Sequence, residues 1–274
     1  MKLSIGFSPC PNDTFIFDAL INKKIDTEGI EFEAVLEDVQ TLNEWAIEGR
    51  LPVTKLSYGV LPLVLHNYLL MDSGGALGKG VGPLLITRDE PATVIVNDET
   101  IAIPGENTTA HLLFSMKYPQ AKNKVFVRYD EVEAYVAAGK GPGVIIHENR
   151  FTYADKGLKK ITDLGDYWEQ QTRVPIPLGG IVIKKELPRD VQKKVEALIK
   201  KSIEYAYTKY PELNDYIRNH SQEMSEEVMR KHIDLYVNNY SLALGSDGKE
   251  AVKTLMNVYE GMHAGKILEE EIFL

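Results

Sequence analysis

The chain has 274 residues, 44% hydrophobic and 26% charged, with 40 acidic against 31 basic side chains and a net charge of −9. That composition is globular and excludes wholesale disorder, while the acidic balance argues against a groove for nucleic acid or for an anionic membrane. Cys10 is the single cysteine, so neither an intrachain disulfide nor a cluster of thiolates can staple the fold. A chain this long buries enough apolar surface to need no such staple.

The opening Met1-Lys2-Leu3-Ser4-Ile5-Gly6 has no basic, apolar and small-residue succession of the kind that directs secretion. The longest apolar run, Val60 to Met71, is broken by Pro62, His66 and Asn67 and is too short to span a bilayer. A cytoplasmic protein is expected. Leu3, Ile5 and Phe7 alternate as a first strand that ends in Ser8-Pro9-Cys10-Pro11, and Asn12 or Asp13 is placed to cap a helix with Phe15, Ile16, Ala19 and Leu20 on one face. Ile30, Phe32 and Ala34 form a second strand. Val39, Leu42, Trp45 and Ala46 follow at helical spacing, with Gly49 as a stop. Pro52 to Leu56 is a third strand, and Ser57 heads a helical stretch expected to run through Leu70. Strand and helix alternate three times, which predicts a parallel sheet covered by helices.

The glycine-dense stretch Gly74 to Pro83 precedes a second series. Ile101 to Ile103 is a strand, Pro104-Gly105 turns the chain toward a helix from Thr108, and Val125 to Val127 is the next strand. Asp130 and Glu133 have the spacing of a capping box before another helix. Gly141-Pro142-Gly143 leads to Val144-Ile145-Ile146, which delivers His147. Gly179 to Ile183 is a last strand. After Pro188, Val191, Val195, Leu198, Ile199 and Ile203 share one helical face, with further helices from Ser225 and near Gly248. Two α/β series and a helical tail predict two lobes: residues 1–88 with 180–274, and an inserted lobe over 89–179.

Three helix starts follow strands and carry hydroxyl or amide groups: Ser8 to Thr14, Lys55 to Ser57, and Thr108 to Thr109. Such side chains cap helices everywhere, but ligands also gather at the carboxyl ends of parallel strands, where helix N-termini favour anions. Converging from two lobes, the three starts would frame a cleft for a small organic anion. The glycine stretch fails as a phosphate loop, because Lys79 is followed by Gly80 rather than a hydroxyl, and it fits close backbone approach at a crossing instead. Cys10, between two prolines, fits a buried thiol better than a nucleophile. Of six histidines, His66, His220, His232 and His263 lie in helical stretches and fit packing or solvated positions, and His111 sits in a helix's first turn. His147 stands at a strand end, where an imidazole suits proton transfer near neutral pH as well as a structural role. HExxH is absent, and the adjacent His147 and Glu148 are expected to point apart along an extended chain, so no metal is expected.

Long strings carry a further signal: Gly6 to Phe17 (GFSPCPNDTFIF), Leu51 to Tyr58 (LPVTKLSY), Ser73 to Pro83 (SGGALGKGVGP), Thr108-Thr109, and Ile145 to Tyr153 (IIHENRFTY). In this order they resemble the 1,4-dihydroxy-6-naphthoate synthase family of the futalosine route to menaquinone. The resemblance implies a fold like the type II periplasmic binding proteins, with two α/β lobes, an interlobe cleft and a discontinuous first lobe. It implies a lyase that converts cyclic dehypoxanthinyl futalosine to 1,4-dihydroxy-6-naphthoate, releasing a three-carbon fragment, with no cofactor. The family's general base falls on His147, and its substrate-contacting segments fall on Lys55, Leu56 and Ser57 and on Thr108 and Thr109. The expected partner is a small anionic substrate, with neither nucleic acid nor membrane. Two alternatives share the fold: chorismate dehydratase of the same route, and a passive receptor for a small carboxylate.

Overall fold

A computed structural model describes residues 1–221, 225–263 and 271–274. Its first sheet contains β1 (Lys2–Phe7), β2 (Glu31–Leu36), β3 (Val53–Ser57), β4 (Tyr68–Leu70) and β5 (Ala76–Gly78). The second contains β6 (Leu84–Thr87), β7 (Ile101–Ile103), β8 (Lys124–Phe126), β9 (Gly143–Ile145) and β10 (Lys159–Asp163), after which β11 (Ile176–Lys184) returns to the first. Strand order is β2-β1-β3-β11-β4 in the first sheet, with β5 paired to β11, and β10-β6-β9-β7-β8 in the second. The alternation in β1 is real, with Leu3, Ile5 and Phe7 all buried.

Both sheets are mixed, which corrects the expectation of parallel sheets. β1 runs parallel to β2 and β3, whereas β11 runs antiparallel to β3, with Gly180 opposite Leu56. In the second sheet β7 is parallel to β8 and β9, while β6 is antiparallel to β9 and β10. The returning chain enters beside the end at which β3 leaves, since Gly179 lies opposite Ser57. A strand entering there must oppose its neighbour. β6, over Leu84–Thr87, pairs within the second sheet, and β11, from Ile176, pairs within the first.

Local expectations fail where turn geometry overrides pattern. The helix expected from Ser57 through Leu70 is a 3₁₀ turn, Tyr58–Val60, a short helix, Leu61–Val64, and then β4. An apolar run as short as Tyr68 to Leu70 has no period that separates strand from helix. The helix Pro11–Ile21 is headed by Cys10 with no side-chain cap, because the Asp13 carboxylate turns back to accept from Ser8 N and Oγ, at 3.2 and 2.8 Å. The box expected at Asp130 and Glu133 is absent. Glu131 accepts from Arg128 N at 3.2 Å, and Asp130 pairs with the Arg128 guanidinium.

In the tail, Val195, Leu198, Ile199 and Ile203 of the helix Arg189–Lys209 are buried, and Ser202 Oγ donates to Ile16 O at 2.6 Å, binding this helix to Pro11–Ile21. Helices Glu226–Tyr236 and Gly245–His263 complete the tail. No helix among the described residues is long and apolar enough to cross a membrane.

The chain crosses between sheets at Gly80 to Pro83, where the Arg150 guanidinium donates to Gly80 O and Gly82 O and pairs with Asp163 at 3.1 Å. A Cβ on Gly82 would lie 2.3 Å from the backbone of Gly165, so two backbones meet where no side chain fits. Gly82→Ala should therefore destabilise the protein by about 1–3 kcal/mol, the usual cost of overpacking. Urea unfolding measures this, and an unchanged midpoint would show that the crossing yields freely.

Candidate active site

One cavity is lined from both sheets and contains all six residues singled out from sequence: Lys55, Leu56, Ser57, Thr108, Thr109 and His147. Ser8, Asn12 and Asp13 after β1, and Tyr236 from the tail, share its wall. The strand ends and helix starts that alternated along the sequence thus meet at one place.

On the first-sheet side, Lys55 Nζ is 2.9 Å from Asp13 Oδ1 and donates to Gly74 O at 3.0 Å, with both charged side chains buried. Asn12 Nδ2 donates to Asp13 Oδ1 at 2.9 Å, leaving Asn12 Oδ1 buried without a hydrogen-bond partner among the described residues. The ammonium at the wall is therefore already neutralised. Asn43, fully buried, accepts from Ser57 N at 2.8 Å and donates to Ser57 Oγ at 3.1 Å and to Asn107 O at 2.9 Å. One amide thereby ties the end of β3 to the loop that precedes Thr108.

The three hydroxyls differ in what they have left to give. Thr108 caps the helix Thr109–Lys117, accepting from His111 N at 3.2 Å and donating to Gly105 O at 2.9 Å. Thr109 Oγ1 accepts from Gly59 N at 3.0 Å and donates to Leu178 O at 2.8 Å. Gly59 permits this junction, since a Cβ there would lie 2.7 Å from the Thr108 carbonyl carbon. Ser57 Oγ accepts from Asn43, and its own proton has no protein acceptor among the described residues.

His147 sits just beyond β9 with φ +57°, a left-handed conformation uncommon for a residue with a Cβ. Its Nδ1 is 3.5 Å from Cys10 Sγ, and Tyr129 packs edge-on with ring centroids 4.9 Å apart. Burial lowers the affinity of the imidazole for a proton, outweighing Glu148, Asp13 and Asp38, which raise it. The ring is neutral near pH 7. The Cys10 thiol is pushed well up, by burial first and then by Glu148, so it stays protonated. The expectation that His147 and Glu148 point apart is overturned: the left-handed turn brings donor atoms of Cys10, His147 and Glu148 within 4.8 Å of one another. His111 takes no part in this wall. Its Nδ1 meets Glu106 O at 2.7 Å and its Nε2 meets Lys124 Nζ at 3.0 Å.

A family model described as menaquinone biosynthesis matches residues 3–261. The chain belongs to this family. It is 46% identical over 254 residues to a Thermus thermophilus protein named 1,4-dihydroxy-6-naphtoate synthase, with 92% of each chain covered. A Streptomyces coelicolor protein of the same name is 38% identical over 260 residues, covering 93% of this chain and 91% of its own. A crystal structure of an Archaeoglobus fulgidus protein matches with a TM-score of 0.91 at 30% identity, over 96% of this chain and 98% of that one. The periplasmic aliphatic sulphonate binding protein of Escherichia coli matches at 9% identity with a TM-score of 0.66, over 99% and 89%. The fold is therefore the two-lobed, periplasmic-binding-protein-like α/β architecture expected from sequence.

In this member of the menaquinone-biosynthesis family, the structure adds four residues that hold the site: Asp13, Asn43, Tyr129 and His232. Asp13 fits a helix cap, or a ligand-facing helix start, by its place in the sequence, and in the structure it neutralises Lys55. Asn43 had a readable signal, an amide between Leu42 and Ala46 on a buried face. Tyr129 and His232 had none, since their contacts with His147 join segments remote in sequence, the two histidine rings lying 6.1 Å apart.

Proposed function

We propose that this chain converts cyclic dehypoxanthinyl futalosine to 1,4-dihydroxy-6-naphthoate with loss of a three-carbon fragment, and that His147 is the general base. The observation that carries the reading is a neutral imidazole at the wall of a cavity lined from both lobes. Aromatisation by C–C cleavage needs a proton removed and a developing enolate stabilised, and a neutral histidine beside fixed donors provides both. The substrate is a small anion met in the cytoplasm. Since Asp13 neutralises Lys55, its anionic and enolate oxygens fall to N–H and O–H donors rather than to a free ammonium. Ser57 offers the uncommitted proton, Thr109 and Ala110 open a helix at the wall, and Lys55 and Leu56 shape the floor.

Ser57→Ala should lower kcat/KM roughly ten- to a hundredfold, the loss of one hydrogen bond to a charged oxygen. Thr108→Val, expected from sequence to act alike, should instead cost about 1 kcal/mol of stability through the lost cap. Unchanged kinetics in Ser57→Ala would return that hydroxyl to structure. Purified protein offered the cyclic futalosine derivative and chorismate in parallel should consume the first and leave the second. Consumption of chorismate would select the dehydratase, and binding of the cyclic compound without turnover would select the receptor.

A further inference from the structure

We infer that Glu148 is a positioning residue for His147, a buried carboxylate whose attraction to the imidazole is realised only as that ring takes up its proton. The inference rests on His147 being the base. Glu148 is only 6% exposed, and its Oε2 has no hydrogen-bond partner among the described residues. An anionic oxygen left so is costly in a folded protein unless something complements it. The adjacent groups do not do so at rest. His232, fully buried with neither ring nitrogen hydrogen-bonded among the described residues, lies 3.8 Å from Glu148 Oε2, and burial holds it neutral. The His147 ring, with a nitrogen within 4.8 Å of a Glu148 carboxylate oxygen, is also neutral.

Proton abstraction changes this. The bond from substrate carbon to hydrogen breaks, its electron pair stays on the substrate as the enolate, and the proton arrives on His147. An imidazolium then faces the waiting carboxylate, whose own burial makes their attraction stronger than it would be in water. The resting enzyme lacks this interaction, so it favours the transition state over bound substrate. The left-handed backbone at His147 supplies the geometry, because an extended chain would send the two side chains to opposite sides.

The charged and titratable groups facing His147 are Glu148 in its own loop, Cys10 and Asp13 at the helix Pro11–Ile21, Asp38 at the head of the helix Val39–Ile47, Lys55 on β3, Tyr129, and His232 from the tail. Glu148 ranks first among those that favour the charged ring. Glu148→Gln should thus move the acid limb of kcat/KM to lower pH by about one unit, as loss of an adjacent opposite charge does, and lower the plateau about tenfold. Glu148→Asp keeps the charge but withdraws it by one methylene, and its limb should fall between those of wild type and Gln. An acid limb left in place, with only the plateau reduced, would overturn the inference, as would an Asp limb coincident with that of Gln. If Gln does not fold, the Asp limb alone decides, with a position at or above that of wild type overturning it. Retained turnover in His147→Ala would instead overturn the base assignment, whatever Glu148 does.

Discussion

His147→Ala should lose catalysis by a factor of roughly 10²–10⁴, the usual contribution of a general base, while folding normally. In the wild type, kcat/KM should fall on the acid side as one imidazole takes a proton. Burial lowers the affinity of His147 for that proton, so the midpoint lies below the ordinary histidine value of 6.5. The half-buried His147 and the fully buried His232 also link stability to pH: with both held neutral in the fold, their contribution is complete above about 6.5 and is lost as pH falls. Rates in the acid limb must therefore be scaled to the folded fraction. An alanine variant that keeps more than about a tenth of wild-type turnover, far above what losing a base allows, would remove His147 from the reaction.

Asp13→Ala should destabilise the protein by about 3–5 kcal/mol, because it strands the buried Lys55 ammonium with Gly74 O as its remaining partner. The same change frees Ser8 and Asn12, which otherwise hold the carboxylate. Adding Lys55→Met should recover part of the loss, since an apolar side chain leaves no uncompensated charge. Urea unfolding of the two singles and the double measures the coupling. Strictly additive losses would mean that the pair is not the cavity's structural floor.

The same pair shows where sequence reasoning stops. The sequence points to Lys55 as a ligand-site residue because it stands near the end of a strand, and it does line the cavity. That Asp13 would neutralise it depends on β1 and β3 lying side by side, a fact of topology and not of local pattern. Elements with a clear period are legible in the sequence: β1 and β2 by alternation, and the helix Arg189–Lys209 by its buried face, while β7 reads only as a short apolar run before the Pro104-Gly105 turn. The strands β4, β5 and β6 have three or four residues each, too few to show a period, and their pairing with β11 and β9 gives them their form. At the site, the positive φ of His147 left no mark in the composition around it, yet that one torsion joins Glu148 to the base. His232 was set aside as a packed helical residue, and it is packed, but against the base.

The fold is one that also serves a protein named for binding rather than catalysis, and it is a base in the cleft that would set this chain apart as an enzyme. A single-turnover experiment tests that claim most directly: enzyme in excess over cyclic dehypoxanthinyl futalosine, with wild type and His147→Asn compared for both binding and naphthoate formation. Wild type should convert all the substrate with nothing added, and His147→Asn should hold it with nearly the same Kd and convert almost none. Substrate recovered intact from wild type, or an asparagine variant whose lost turnover is matched by lost affinity, would contradict the account.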